Sequence, residues 1–260
     1  SGWKNAAACI LCFIPVFLGF LLPLMLLVIL FIDHVEFVNA RFLAYLANTI
    51  TIAALASISC VMVAVLLAYS ARLSNSAFVA TLNRLGTLGY AIPGSVIAVG
   101  ILIPFGWFDN TIDSWFRSVF GISTGLLLSG TVVALVFAYI VRFLAVAFGG
   151  IETSLQKVTT NMDEAARGMG YSFGNIARHI HLPMLKGSML TAALLVFVDV
   201  MKELPATLIV RPFNFDTLAV QVYRLASDER LGESSGAALA IVLAGLIPVV
   251  LISRRMSDRR

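Results

Sequence analysis

"EAARGMGYSFGNIARHIHLP", Glu164 to Pro183, is a long polar stretch between two very apolar halves of the chain. It reads as two short helices around a glycine turn. Asn161 is expected as an N-cap with Glu164 three residues on, a variant of the capping box. Glu164, Ala165, Ala166 and Arg167 are good helix formers, and Gly168 and Gly170 suit a left-handed stop. Ser172 is expected to cap a second helix, in which Phe173, Ile176, Ala177 and Ile180 recur at i, i+3, i+4, i+7 and form one apolar face. Pro183 disfavours helical geometry at Leu182, so this helix is expected to end there.

The flanking residues place that segment. Of the 260 residues 60% are hydrophobic and 12% charged, with a mean hydropathy of +0.95. Soluble domains are about 45–50% apolar and about 25% charged. One water-soluble core could not hide so much apolar surface, so the chain belongs in a bilayer. A hydrocarbon core of ~30 Å takes about 20 apolar residues per helix. Uncharged runs predict six spans, roughly 6–32, 48–69, 85–107, 122–142, 187–210 and 236–252, in a single transmembrane domain over 1–260. The runs are continuous and lack the alternation of barrel strands, so the expected class is all-α integral membrane. The first run is too long for a signal-peptide core and no small-x-small cleavage site follows Ile32.

Charge sets the orientation. The loop 33–47 carries Asp33, Glu36 and Arg41, and the loop 108–121 carries Asp109, Asp113 and Arg117, both net acidic. The loop 71–84 carries Arg72 and Arg84, and the tail carries Arg254, Arg255, Arg259 and Arg260 against Asp258. Basic segments face the cytoplasm, which puts both termini and the loop 149–187 there and turns Asp109, Asp113 and Asp228 outward. The net charge of +4 is thus a topology signal; a nucleic-acid surface would cluster its cations on one soluble face.

Little in the chain suggests chemistry. Cys9, Cys12 and Cys60 fall inside spans, and "CILC" lacks the second pair or histidine of a zinc site. His34, His179 and His181 read as solvated loop residues, so neither a metal site nor a catalytic residue is expected. The polar stretch itself has two readings on physics alone: an amphipathic connector in the interface, or a docking element whose smooth Ala165–Ala166 edge fits a groove.

Position for position, Glu164-Ala165-Ala166, three residues, Gly170, nine residues, Ile180, one residue, Leu182-Pro183 resembles the "EAA" signature of ABC-importer permeases, the membrane subunits of binding-protein-dependent uptake systems. The resemblance implies a six-transmembrane-helix type I permease core with cytoplasmic coupling helices, in the bacterial inner membrane. It implies that the Glu164–Gly170 helix seats in a cleft of a cytoplasmic ATPase dimer, and that Glu164, Ala165, Ala166, Gly170, Ile180, Leu182 and Pro183 carry the coupling. It also implies a second permease half and a periplasmic or lipid-anchored solute-binding protein as partners, with lipid around the bundle. No cofactor is expected on this chain: G-x-x-x-x-G-K-[ST] is missing, so ATP and Mg would be used by the ATPase.

"YAIPGSVIAVGIL" (Tyr90–Leu102) and "DVMKELPATLIVRPFNFDTLAVQVYRLASDERL" (Asp199–Leu231) look like the ferric-iron branch of that family, whose relatives carry thiamine, polyamines or sulfate. Ferric-type permeases usually join two six-span halves. The single motif here and the opening Ser1 predict the C-terminal half of such a chain, with a homodimer as the other arrangement.

The fifth span is the irregular one. Between Lys186 and Asp199 only twelve residues are uncharged, too few to cross. The helix is expected either to run through Asp199, Lys202 and Glu203 or to break at Pro205. Those three stand at i, i+3, i+4 and share a helical face, reading as a self-neutralising cluster or as a face of the translocation pathway. Pro93 in the third span reads as a hinge on that pathway. Beyond Val210, Leu218, Val222 and Leu225 form an apolar stripe expected to lie on the membrane or on the bundle. The function expected is ATP-driven import without enzymatic activity of this chain's own. An ion-driven secondary transporter, using the Asp199–Glu203 patch as a relay, is the rival; it leaves the Glu164–Pro183 pattern unexplained.

Overall fold

The computed structural model describes residues 2–35, 39–74 and 76–257. Glu36 and the tail residues Asp258, Arg259 and Arg260, used above for orientation, lie outside them. The chain folds into helices α1 (Gly2–Ile32), α2 (Ala40–Leu73), α3 (Ala77–Gly86), α4 (Gly94–Phe120), α5 (Val132–Leu155), α6 (Thr160–Gly168), α7 (Phe173–Met201), α8 (Pro205–Val210), α9 (Leu218–Ser227) and α10 (Leu231–Ser257). A 3₁₀ turn, Leu88–Ala91, precedes α4. Six of these, α1, α2, α4, α5, α7 and α10, are long and apolar enough to cross a membrane among the described residues.

Two compact units form. One combines the chain up to Thr49 with Asp216–Ile247. In it the start of α9 is pinned to α2, since Leu218 donates its amide to Thr49 Oγ1 at 2.9 Å and Asn48 donates to the Asp216 carbonyl at 3.1 Å. Leu218, Ala219, Val220 and Leu225 of α9 are buried. Of the expected apolar stripe Leu218 and Leu225 are buried and Val222 is half-buried, so it packs on protein, with Ala219 and Val220 beside it. Helix α1 buries none of its residues.

The other unit spans Ile50–Phe215, with the chain from Pro248 on. Its axis is α5, whose Ala134, Leu135, Ala138, Tyr139, Phe143, Ala147 and Ile151 are all buried. Helix α2 presents a stripe of small residues, Ala53, Ala56, Cys60, Ala64 and Ala68, with Cys60 Sγ 3.8 Å from the Tyr139 carbonyl. Small residues at i, i+4 spacing let membrane helices approach closely, where dispersion rather than dehydration supplies the attraction.

Several expected boundaries move, each for a local reason. The fourth span starts at Val132, not 122, because Gly121, Gly125 and Gly130 take φ of +69°, +64° and +70° and fold 121–131 into a loop. Two acids of α4 hold that loop. Asp109, fully buried, accepts the amides of Leu127, Leu128 and Ser129 at 3.1, 2.9 and 2.8 Å, and Asp113 accepts those of Thr124 and Gly125 at 2.7 and 3.1 Å. The third span starts at Gly94 rather than 85, because Pro93 puts Ile92 into extended geometry (ψ 135°). It then runs past Trp107 to Phe120, so Asp109 and Asp113 are helical.

Pro183 does not end a helix. Helix α7 runs through it because the preceding turn, Ala177–His181, is a π-turn, and Leu182 donates its amide to the Ala177 carbonyl, five residues back. Widening the turn makes room for a ring that lacks an N–H and would strike the carbonyl four residues earlier. Helix α1 repeats the device: a π-turn at Phe17–Leu21, then Leu22-Pro23, with Leu22 donating to Phe17. "FLGFLLP" and "ARHIHLP" thus solve one steric problem in the same way.

Candidate functional site

Helix α6 carries the polar signature. Its N-cap is Thr159 rather than Asn161, and no side chain caps it. Its end is a Schellman turn: Gly170 takes φ +85°, Gly170 donates to the Arg167 carbonyl at 2.9 Å and Tyr171 to the Ala166 carbonyl at 3.1 Å. An added Cβ at Gly170 would meet nothing within 4 Å, so the glycine serves the backbone angle and not a close approach. Glu164, Ala165, Arg167, Gly168, Met169 and Gly170 are exposed as one continuous surface. Of the remaining motif residues Ala166 is buried, Ile180 and Leu182 are half-buried, and Pro183 is exposed.

Asp163, immediately before Glu164, anchors this helix. Its Oδ2 accepts from Arg72 Nη2 at 2.7 Å and its Oδ1 lies 2.7 Å from His181 Nε2. His181 Nδ1 lies 2.9 Å from the Tyr69 hydroxyl. Arg72 Nη1 also donates to the carbonyls of Leu155 and Val158 at 3.1 and 2.9 Å, at the end of α5 and just past it. Burial alone would raise the Asp163 carboxyl; hydrogen bonds from Arg72 and His181 and their charges outweigh it and hold the group below the usual carboxylate range. His181 is fully buried. The expectation of a solvated loop histidine is therefore wrong at this position, because α7 continues through Pro183 and turns the imidazole inward. His179 is exposed, as expected.

A second charged site lies at the break in the fifth span. Helix α7 stops at Met201, Lys202 closes it, and α8 restarts at Pro205. The three charges expected to share a face divide. Lys202 pairs with Asp199 at 3.0 Å at an exposed edge, with 62% of the lysine side chain accessible. Glu203 turns inward, 6% exposed, and its Oε2 accepts from Arg142 Nε at 3.0 Å. Its Oε1 accepts the Ala206 amide at 3.2 Å, while Arg142 Nη1 donates to the Ile92 carbonyl at 2.8 Å. The peptide break between Met201 and Pro205 is what swings Glu203 off the α7 face. Thr207 then links this break to the core, donating to the Glu203 carbonyl and meeting the Tyr139 hydroxyl at 2.6 Å.

Pro93 is the N-cap of α4, not a bend within it. Gly94 beside it explains the "YAIPGS" run: a Cβ there would lie 2.5 Å from Glu203 Oε1 and 3.3 Å from Arg142 Nη1. Gly89, one turn earlier, sits on α5 so closely that a Cβ would strike the Val141 carbonyl. Sequence reading missed Arg142, though the signal was there: a lone cation inside the apolar run 132–148 with no acid nearby. It also missed Tyr69 and the inward role of Arg72. Among the described residues no three His, Cys, Asp or Glu side chains gather as metal ligands would.

The sequence profile of the family described as binding-protein-dependent transport system inner membrane component matches residues 60–260. The chain is 27% identical over 215 residues to the Fe(3+)-transport system permease protein FbpB 2 of Haemophilus influenzae, covering 83% of this chain and 39% of that protein. It is 28% identical over 171 residues to a Salmonella typhimurium protein named as the permease PhnV of a 2-aminoethylphosphonate transport system, covering 65% of this chain and 57% of that one. The chain thus spans between two and three fifths of the length of these relatives. A chain from a bacterial alginate ABC transporter in complex with an alginate pentasaccharide-bound periplasmic protein superposes with a TM-score of 0.76 at 14% identity, over 98% of this chain and 95% of that one. A chain of the MetNI methionine ABC transporter in an inward-facing conformation gives 0.57 at 16% identity, over 85% and 98%. The fold is that of ABC transporter permeases.

Proposed function

Because the chain belongs to the family of binding-protein-dependent transport system inner membrane components, and is a multi-pass membrane protein, we propose that it is the permease half of an ATP-driven importer whose substrate is ferric iron. The observation that carries the coupling role is the exposed Glu164–Gly170 surface, closed by the Gly170 turn and anchored from behind through Asp163. A helix so presented offers a small, smooth knob to a groove, and the groove belongs to a cytoplasmic ATPase that supplies ATP and Mg chemistry. Both termini and α6 face the cytoplasm in this reading, in keeping with the basic Arg72 and Arg84. Arg72 and α6 lie at one end of the unit, 2.7 Å apart at Asp163, as that topology requires.

Ferric iron is favoured by the Haemophilus relative. The second reading, an alkylphosphonate, is favoured by the Salmonella relative and by a cation, Arg142, at mid-helix. In that reading the pathway involves Glu203 with Arg142 and the Pro93-Gly94 corner, together with Asp199 and Lys202. The second permease half and the external binding protein complete the transporter. The test is purification of the full-length protein from its native membrane, mass spectrometry of what accompanies it, and uptake of radioactive ferric iron beside 2-aminoethylphosphonate. A nucleotide-binding protein in the complex and saturable iron uptake are expected. Purification without any ATPase would overturn the importer, and uptake of phosphonate alone would overturn iron.

A further inference from the structure

Of the nine residues of α6, only Asp163 and Ala166 are not exposed. Apart from the chain's own continuation at either end, the side chains that tie α6 to the bundle are therefore a methyl group and one carboxylate. That carboxylate is fully engaged: Arg72 on Oδ2 and His181 on Oδ1, both at 2.7 Å. His181 belongs to α7, Arg72 and Tyr69 to α2, and the carbonyls that Arg72 also holds close α5. Phe173, at the start of α7, meets the Tyr69 ring edge-on at 6.5 Å. Two spanning helices thus meet at one side chain of a surface helix, and a third, α5, is tied to it through Arg72.

We propose that the chain Tyr69–His181–Asp163–Arg72 is the strut that makes α6 move as one body with the ends of α2, α5 and α7, and that His181 is its positioning residue. This deepens the coupling reading above and rests on it. The imidazole suits the place for a geometric reason. Its two nitrogens point in opposite directions in one rigid ring, so it spans Tyr69 and Asp163 without a rotatable link between them. With 0% of the imidazole exposed, water does not substitute for either bond.

The test replaces His181 by Leu, which fills the space without polar contacts, and by Gln, which can offer a donor and an acceptor in similar places. On the purified full chain in lipid nanodiscs, amide exchange across 160–171 is expected to rise about tenfold in His181→Leu, with α9 unchanged, as for local opening. In His181→Gln it is expected to stay near the wild-type rate. This arm needs no ATPase, so it stands whatever becomes of the coupling reading. Unchanged exchange in His181→Leu overturns the strut. In native complexes, His181→Leu is expected to keep its ATPase and its hydrolysis while iron uptake per ATP falls about tenfold, within what such networks transmit; His181→Gln restores uptake. Wild-type uptake per ATP in His181→Leu overturns the positioning role. Loss of ATPase binding and uptake together, unrescued by Gln, does the same by making His181 a folding residue only.

Discussion

At the scale of single residues, charge pairing decides more than charge placement. Glu203 is a buried carboxylate paired with Arg142, and removing that cation takes away a charge partner it holds at 3.0 Å. Arg142→Met is expected to destabilise the protein by ~3–5 kcal/mol, whereas Arg142→Met with Glu203→Met should recover most of the loss, since a buried pair is often replaceable as a unit. Thermal unfolding in detergent, followed by gel filtration, reads both. The exposed pair Asp199–Lys202 should change stability by less than about 1 kcal/mol when broken. Asp163 makes a pH prediction. Its folded carboxyl lies below the ordinary value, so its contribution is present above the unfolded value and is lost as pH falls through the folded one. A spin label at Arg167→Cys should be immobile at neutral pH and mobilised only below about pH 4, while Asp163→Asn mobilises it throughout. A label already mobile at neutral pH in the otherwise native chain would refute the anchor.

At the scale of elements, turns govern what helices can do. The Gly170 angle of +85° is costly for any residue with a Cβ, by about 1–2 kcal/mol. Space is open there, so Gly170→Asn should be tolerated better than Gly170→Val, and the order Gly, Asn, Ala, Val should appear in ATPase co-purification. An order set by side-chain volume would point instead to a steric role. The π-turns before Pro23 and Pro183 show why a proline rule that holds for short helices failed here. Leu182 keeps helical geometry because its amide reaches back five residues, and nothing in "HIHLP" itself announces that extra residue per turn. Asn161 lost the N-cap for a related reason, since the first turn begins where Asp163 can reach Arg72.

At the scale of the molecule, one experiment reads the topology. Asn110→Cys, on an exposed position of α4 beside the buried Asp109, should label with an impermeant maleimide in intact cells. Ser257→Cys, at the end of α10, should label only after permeabilisation. Equal labelling in intact cells would overturn the six-span orientation.

The amino-acid sequence by itself determined the solvent, the number of spans and the surface helix with its glycine stop. Each of these is a local quantity: transfer free energy adds up along a contiguous run, and the Glu164–Pro183 spacing lies within twenty residues. Tertiary structure alone decided which charge meets which. Arg142 and Glu203 are 61 positions apart, Arg72 and Asp163 are 91, and Tyr69 and His181 are 112. A shared helical face predicted Asp199 with Glu203, but the break between Met201 and Pro205 turned the carboxylate toward a cation on another helix. In an apolar interior a polar group takes the partner that satisfies it, however distant in sequence, because leaving it unpaired costs more than any local preference can return.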